Sequence, residues 1–401
     1  MERHIIHHQP VPLTNSILNK KLVRITTVPM ALRYLLPGQM RYMQSNNFDV
    51  LMISADGKEL NDVIKNEECR HIIVPMTRKI TPFRDLQCLF QLIRIFRREK
   101  PDIVHSHTPK AGLLGMLAAK FCGIKVRIHT VAGLPMMVEK GFKYQLLKFT
   151  EKITAAAANH VWPNSNSLLQ YITEHRLADP KKLQVIGKGS TNGIDTDFFS
   201  RASPDENIIN TTKTTIQYAA ENKYLLFIGR LVVDKGIVEL VKVFALLQQK
   251  YPQLKLILVG EYEDHLDPLP ASTVNEIETN SAIIHINWTD DVKYYMSLAD
   301  HFIFPSHREG FPNVVLQAGA MELPVICSHI AGNIDIVTHL VTGLIFECGN
   351  EHQLQQSIER ALVNGEEMQS MTKKLREEII ENYRRENTWQ NILEAYKSLV
   401  N

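Results

Sequence analysis

Short, nearly unbroken apolar runs recur along most of this chain, each followed by a stretch with helical spacing. KLVRITTV, FDVLMIS, HIIVPM, DIVHSHT, VRIHTV, HVWPNS and LQVIGKG succeed one another over residues 21–189. ALRYLLPGQMRYMQ and DLQCLFQLIRIFRREK read as amphipathic helices between them. A strand apolar on both faces belongs to a parallel sheet covered on both sides by helices. The alternation lapses in the polar stretch DTDFFSRASPDENIINTTKTTIQYAAENK, which carries Ser-Pro and Asp turn signals. It restarts with YLLFIGR, LKLILVG, IIHINW, DHFIFPS, PVICSH and TGLIFE. A chain of 401 residues is too long for one core. The pattern predicts two doubly wound, Rossmann-like α/β domains. The expected boundaries are 1–195 for the first domain, 196–222 for a linker and 223–380 for the second domain. Residues 381–401 are expected to form a C-terminal helix that packs back on the first domain, with Trp389 and Tyr396 as core anchors.

The net charge is only +2, but it is unevenly spread. Residues 1–200 carry 28 Lys+Arg against 16 Asp+Glu, which leaves 17 and 27 for the remainder. A basic N-terminal half suits a phosphorylated substrate or an anionic lipid surface; it also fits an unevenly solvated surface. No recognition motif supports nucleic acid. Five cysteines without a C-x-x-C pair fit reduced thiols rather than a disulfide framework or zinc site. No apolar run reaches the length of a membrane span, and MERHIIHHQPVPLTN lacks the apolar core of a signal peptide. HIIHH reads as a terminal segment rather than a metal tract. The expected location is cytoplasmic, with peripheral contact at the inner membrane face.

Ligands of open parallel sheets bind beyond the carboxyl ends of the strands. After YLLFIG come Arg230 and, at a helix start, Lys235. Two cations there suit a diphosphate, helped by the helix dipole; the segment alone fits equally a surface Arg and an Asp234–Lys235 pair. After DHFIFPS comes HREGFPNVVLQAGAM. Pro312 reads as the first helical residue, Gly310 allows close backbone approach, and the N–H groups of Phe311, Asn313 and Val314 point outward. Glu309 suits hydroxyl groups. Such a turn fits a phosphate beside a polyol, or, taken alone, a capped helix with a surface Glu. In DIVHSHTPKAG, His105 and His107 share one side of a strand end, and His129 closes a neighbouring strand as a second imidazole. H-x-H also suggests metal, but no carboxylate or cysteine stands nearby to complete a site. Asp195-Thr196-Asp197 spells the D-x-D of a different, metal-dependent transferase architecture; at a domain junction it reads as a turn, with Asn192-Gly193 supplying the bend.

Together DIVHSHTPKAGLLGMLAA, NSNSLLQYI, KGSTNGIDTDFF, LLFIGRLVVDKGIVEL, LILVGEYE, HREGFPNVVLQAGAMELPVI and TGLIF resemble the retaining glycosyltransferases of family four. These have the GT-B architecture, two Rossmann-like domains facing across a cleft. The resemblance is to the bacterial branch that builds capsular, exopolysaccharide or O-antigen repeats. It implies transfer of a sugar from a nucleotide-sugar, with UDP favoured, to a glycan or polyprenyl-diphosphate-linked saccharide. It implies no cofactor and no metal. By resemblance Arg230 and Lys235 hold the donor diphosphate, Glu309 and the amides of Gly310 to Val314 the sugar and distal phosphate, and Asn287 and Trp288 lie near the base. His107 lies beside the transferred sugar, with Thr108 and His129 on the acceptor side. His107 and Glu309 are thus the expected catalytic pair. Two departures stand out. Gln317 replaces the Glu that meets the ribose in the family, and TTVPMALRY lacks the glycine-rich turn of many relatives. The competing expectations are a nucleotide-sugar epimerase of the same architecture and a non-catalytic sugar-nucleotide-binding partner.

Overall fold

The computed structural model describes residues 20–202, 205–263 and 267–400. The N-terminal HIIHH segment lies outside them. Two compact units are present, one of residues 1–193 with 386–401 and one of residues 194–385.

The first unit is built on a six-stranded sheet of β1 (Lys20–Ile25), β2 (Phe48–Ser54), β3 (Arg70–Ile73), β4 (Ile103–His107), β5 (Val126–Val131) and β6 (His160–Pro163). All pairings are parallel, in the order β3-β2-β1-β4-β5-β6. The second unit contains β7 (Lys223–Ile228), β8 (Leu254–Val259), β9 (Ile283–Ile286), β10 (His301–Phe304), β11 (Val325–Ser328) and β12 (Leu344–Phe346). Its parallel order, β12-β11-β10-β7-β8-β9, is the same progression read from the other edge. Both sheets are therefore Rossmann-like, the GT-B pattern of domains. Each has its topological switch point between its first and fourth strands, β1/β4 and β7/β10. Burial explains the apolar strands: Leu225 to Ile228 and Leu256 to Val259 are all buried in one core.

Three local expectations differ from the structure. LQVIGKG is not a seventh strand. It makes a single bridge, Leu183 with Val161, because Gly187 and Gly189 adopt positive φ of 58° and 109° and break the extended run. ALRYLLPGQMRYMQ is not one helix but two, Pro29–Leu35 and Gln39–Ser45. Pro37 ends the first, Gly38 takes φ 80°, and the second opens on the Glu67 carboxylate, which accepts from the amides of Met40 and Arg41 at 3.0 and 3.1 Å. Residues 196–222, expected as a linker, carry the helix Glu206–Thr215, capped by Asp205 and belonging to the second unit.

The C-terminal segment divides at Arg384. Helix Gly365–Tyr383 packs on the second unit, and helix Arg385–Val400 carries Tyr396 into the first, where it is fully buried. The Tyr396 hydroxyl accepts from the fully buried Arg24 guanidinium, which also donates to Gln39. Asp195 and Asp197 of the D-x-D sequence are engaged by Arg385 and Arg384, at 3.4 and 2.9 Å, across nearly the whole sequence length of the second unit. These contacts give both carboxylates a structural role in the second unit.

Candidate active site

Each unit presents a cluster of polar side chains where the loops of its switch point meet. In the second unit these are the loop after β7 and the loop after β10, and charge pairs stitch them together. The Lys235 ammonium donates to the Glu309 carboxylate, and both side chains are largely buried, 13% and 16% exposed. The Arg308 guanidinium donates to Asp234 at 2.8 Å, and the His307 imidazole bonds the Glu239 carboxylate at 2.8 Å. Ser306, fully buried, donates to Glu309 at 2.9 Å. The alternative reading, a local Asp234–Lys235 pair, is not formed, because each residue reaches across to the neighbouring loop instead. Arg230 leans on Glu263 at the exposed rim, a contact of small worth that an incoming polyanion can replace.

Gly236 makes this junction close. It has φ 70°, and a Cβ there would sit 2.2 Å from the Pro305 carbonyl oxygen. Gly236→Ala is expected to destabilise the second unit by roughly 3 kcal/mol, combining left-handed strain with overpacking against backbone. A stability loss in urea unfolding below about a third of that would show the loops can part at little cost.

The turn beyond Glu309 ends in the helix Asn313–Ala320, with Pro312 as its N-cap rather than its first residue. The amides of Phe311, Asn313 and Val314 donate to no protein acceptor among the described residues. Asn313, Val314 and Gln317 are the half-buried positions of this helix, while Val315, Leu316 and Ala318 to Ala320 are buried. Gln317 thus shares the face that starts at the free amides. After β9, Asn287 and Trp288 are exposed, Trp288 by 51%.

In the first unit, Thr108 follows β4 with φ 70°, a strained conformation for a β-branched residue. Its hydroxyl accepts from the Thr27 amide at 3.1 Å and bonds the Thr27 hydroxyl at 2.8 Å. The loop after β1, which lacks glycines, is joined to the β4 loop in this way. His107 is 2% exposed and its ring lies 4.3 Å from that of His105. His105 is held by Tyr396 and by Thr130, the latter at 2.7 Å. Both His107 nitrogens, the Trp162 indole N–H and the Asn164 amide oxygen are buried without a protein partner. These three residues line one cavity of about 20 Å³, room for about one water.

His129 does not join this group. It stands opposite Ser106 in the β4–β5 register, on the other face of the sheet from His107, and its Nδ1 meets the Ser106 hydroxyl at 3.0 Å. The helix Pro109–Phe121 makes room for it at Gly112, where a Cβ would be 2.4 Å from the His129 ring. Burial holds all three imidazoles neutral, His129 down at about 4 and His105 and His107 well below their ordinary value. The imidazole beside His107 is therefore His105, as strand alternation predicts, and His129 does not supply the second imidazole at this site.

Thr27, Ser306, Arg308 and Gly236 were not singled out by sequence reasoning. Their common signal is position, in the loops after the first and fourth strands of each sheet. Among the described residues no cluster of His, Cys, Asp or Glu forms a metal-binding group, all five cysteines are free, and no helix is long and apolar enough to cross a membrane.

Comparison with known proteins identifies the family and agrees with the fold. The family described as "Glycosyl transferases group 1" matches residues 210–384, and "Glycosyl transferase 4-like" matches residues 25–165. The chain is 37% identical over 352 residues to the capsular polysaccharide biosynthesis glycosyltransferase CapM of Staphylococcus aureus, covering 87% of this chain and 89% of that protein. It is 23% identical over 401 residues to an Escherichia coli UDP-Gal:alpha-D-GlcNAc-diphosphoundecaprenol alpha-1,3-galactosyltransferase, covering 99% and 97% of the two chains. The structure of Anabaena HepE in complex with UDP and glucose superposes with a TM-score of 0.78 at 15% identity, over 95% of this chain and 100% of that one. The chain belongs to the group 1, type-4-like glycosyltransferases and is a glycosyltransferase.

Proposed function

We propose that the protein is a retaining, metal-independent hexosyltransferase. In this reading it moves a sugar from a UDP-sugar to a polyprenyl-diphosphate-linked saccharide during surface polysaccharide biosynthesis. The convergence of Arg230, Lys235 and Glu309 with the open amides of Phe311, Asn313 and Val314 at the second switch point carries this reading. The relatives support its terms. One is named for capsule biosynthesis, another for UDP-galactose and a diphosphoundecaprenol acceptor, and HepE holds UDP and glucose. A family of transferases favours transfer over the epimerase and the non-catalytic partner.

In the proposed reaction the bond from the anomeric carbon to the diphosphate oxygen breaks, and its electron pair leaves with the diphosphate. The acceptor hydroxyl attacks from the same face and passes its proton to the departing phosphate oxygen. Arg230, Lys235 and the amides of the turn stabilise the charge that develops there, so no metal is required. Glu309 accepts hydrogen bonds from the sugar hydroxyls. His107, held neutral by its burial, serves as a hydrogen-bonding group and not as a cation. Asn287 and Trp288 lie toward the base, and Gln317 toward the ribose. Thr108 lies on the acceptor side, and the basic first unit meets an anionic membrane at the cytoplasmic face.

The test is nucleoside diphosphate release from a panel of UDP-, GDP- and ADP-sugars with a polyprenyl-diphosphate saccharide, in EDTA. Acceptor-dependent UDP release with retained anomeric configuration is expected. A requirement for added divalent metal would remove the metal-independent part, an inverted product the retaining part, and release without acceptor the transferase assignment.

Gln317 accepts one ribose hydroxyl where a carboxylate would make a stronger, charge-assisted bond. Gln317→Glu is expected to tighten UDP binding by up to about tenfold, less whatever repulsion the diphosphate adds. Calorimetry that finds no change would place position 317 away from the ribose.

A further inference from the structure

A second pocket, of about 260 Å³, lies in the second unit at the opposite end of the sheet from the switch-point loops. Helix Val292–Leu298 leads into the amino end of β10, and helix Asn313–Ala320 returns from its carboxyl end. Ser297, Leu298 and Met321 therefore meet at the amino-terminal edge, and Arg201, Lys213 and Lys293 are among the other lining residues.

Lys293 is only 8% exposed. Its ammonium lies 4.1 Å from the ring centroid of Phe198 and 5.0 Å from that of Tyr294. Among the described residues neither Lys293 nor Arg201 nor Lys213 takes part in an ion pair. Arg201 donates through Nε to the Met321 carbonyl at 2.9 Å, which fixes its stem and leaves its outer nitrogens uncommitted. Lys213 stands on the exposed side of helix Glu206–Thr215, 5.7 Å from the Tyr218 ring. Asp205, at the start of that helix, is occupied in capping the amides of Asn207 and Ile208.

A lysine this deeply buried is ordinarily paired, and aromatic faces return only part of the hydration it loses. Two further cations at the same pocket raise the repulsion rather than relieve it. We propose that this pocket binds a phosphate-bearing ligand whose oxyanions meet Lys213, Lys293 and Arg201. A planar guanidinium and two ammoniums match a multi-oxygen dianion better than a carboxylate. The volume falls just below the roughly 300–1,000 Å³ of ordinary small-molecule pockets, so it suits a phosphate or diphosphate with a short body. A whole nucleotide-sugar is too large for it. The phosphate group is common to two sources, a free phosphorylated metabolite and a phospholipid head group.

The deciding experiment is calorimetric titration of inorganic pyrophosphate into the full chain, the Lys213→Gln variant and the Arg230→Gln variant. Two binding events are expected in the native protein. Lys213→Gln weakens one of them about tenfold, and Arg230→Gln affects the other, so failure here is separate from failure of the donor reading. Lys213 is exposed, and its replacement leaves the fold intact; Lys293→Gln, checked by circular dichroism, gives a second reading on the same event. Co-sedimentation with phosphatidylglycerol vesicles, against phosphatidylcholine, then names the source. Vesicle binding lost in Lys213→Gln assigns a lipid head group, and vesicle binding unchanged or absent assigns a free phosphate. A single pyrophosphate event untouched by Lys213→Gln and Lys293→Gln overturns the proposal.

Discussion

Lys235→Ala is expected to lower kcat/KM by about two to three orders of magnitude, the loss typical of removing one preorganised group from a developing anion. The ammonium faces Glu309 in a largely buried site, so its removal has two separable consequences. The diphosphate loses a counter-charge. The Glu309 carboxylate is left with Ser306 as its hydrogen-bond donor, and an under-compensated carboxylate destabilises the fold. Allowing for partial exposure, about 1–2 kcal/mol of stability is expected to go with it, or about 3–6 °C in the melting of a unit this size. Lys235→Ala/Glu309→Ala separates the two consequences: it recovers stability, having removed the lone charge, but stays inactive. Lys235→Arg retains charge without the compact ammonium and is expected to recover only part of the rate. An alanine variant within threefold of native kcat/KM would place the diphosphate elsewhere.

Acid is expected to loosen the sheet around His129 as pH falls from about 6.5 to 4, while Glu151, whose carboxyl burial pushes up to about 7, acts in the opposite sense in the same unit. His129 is held neutral down to about 4 by burial, against an ordinary value near 6.5. The unfolded chain therefore takes up a proton first as pH falls, and stability present above about 6.5 is lost between 6.5 and 4. That is roughly 3 kcal/mol for His129 alone, and His105 and His107 are shifted in the same direction. His307 in the second unit behaves oppositely. Its hydrogen bond to Glu239 raises it despite burial, so its contribution is complete below about 6.5 and is lost as pH rises through the folded value. Hydrogen exchange at β4 and β5 between pH 7 and 5 reports the first effect. His129→Gln should flatten its pH slope even if it lowers stability at every pH. An unchanged slope would show that the imidazole titrates freely in the fold.

The strands were legible because burial on both faces leaves a continuous apolar run, as in FDVLMIS and LKLILVG, and no tertiary knowledge is needed to see it. Where reading failed, backbone freedom had overridden side-chain pattern. LQVIGKG has the apolar beginning of a strand, and its glycines turn it away. Pro37 and Gly38 cut a periodic stretch that composition alone presents as one helix.

The sequence by itself determined the doubly wound architecture and the residue types at the strand ends: Arg230, Lys235, Glu309 and His107. Each of these is a local property, carried by periodicity and by position relative to a strand. Only the tertiary structure decided which of them meet. Lys235 and Glu309 stand 74 residues apart in the chain, and Thr27 and Thr108 stand 81 apart. They touch because β7 lies beside β10 and β1 beside β4, an adjacency written in the strand order. The place of His129 is decided the same way: it falls on the opposite face of the sheet from His107, whereas His105 shares the face of His107 by alternation along one strand. The register of β5 against β4 sets that choice, and it depends on contacts remote in sequence.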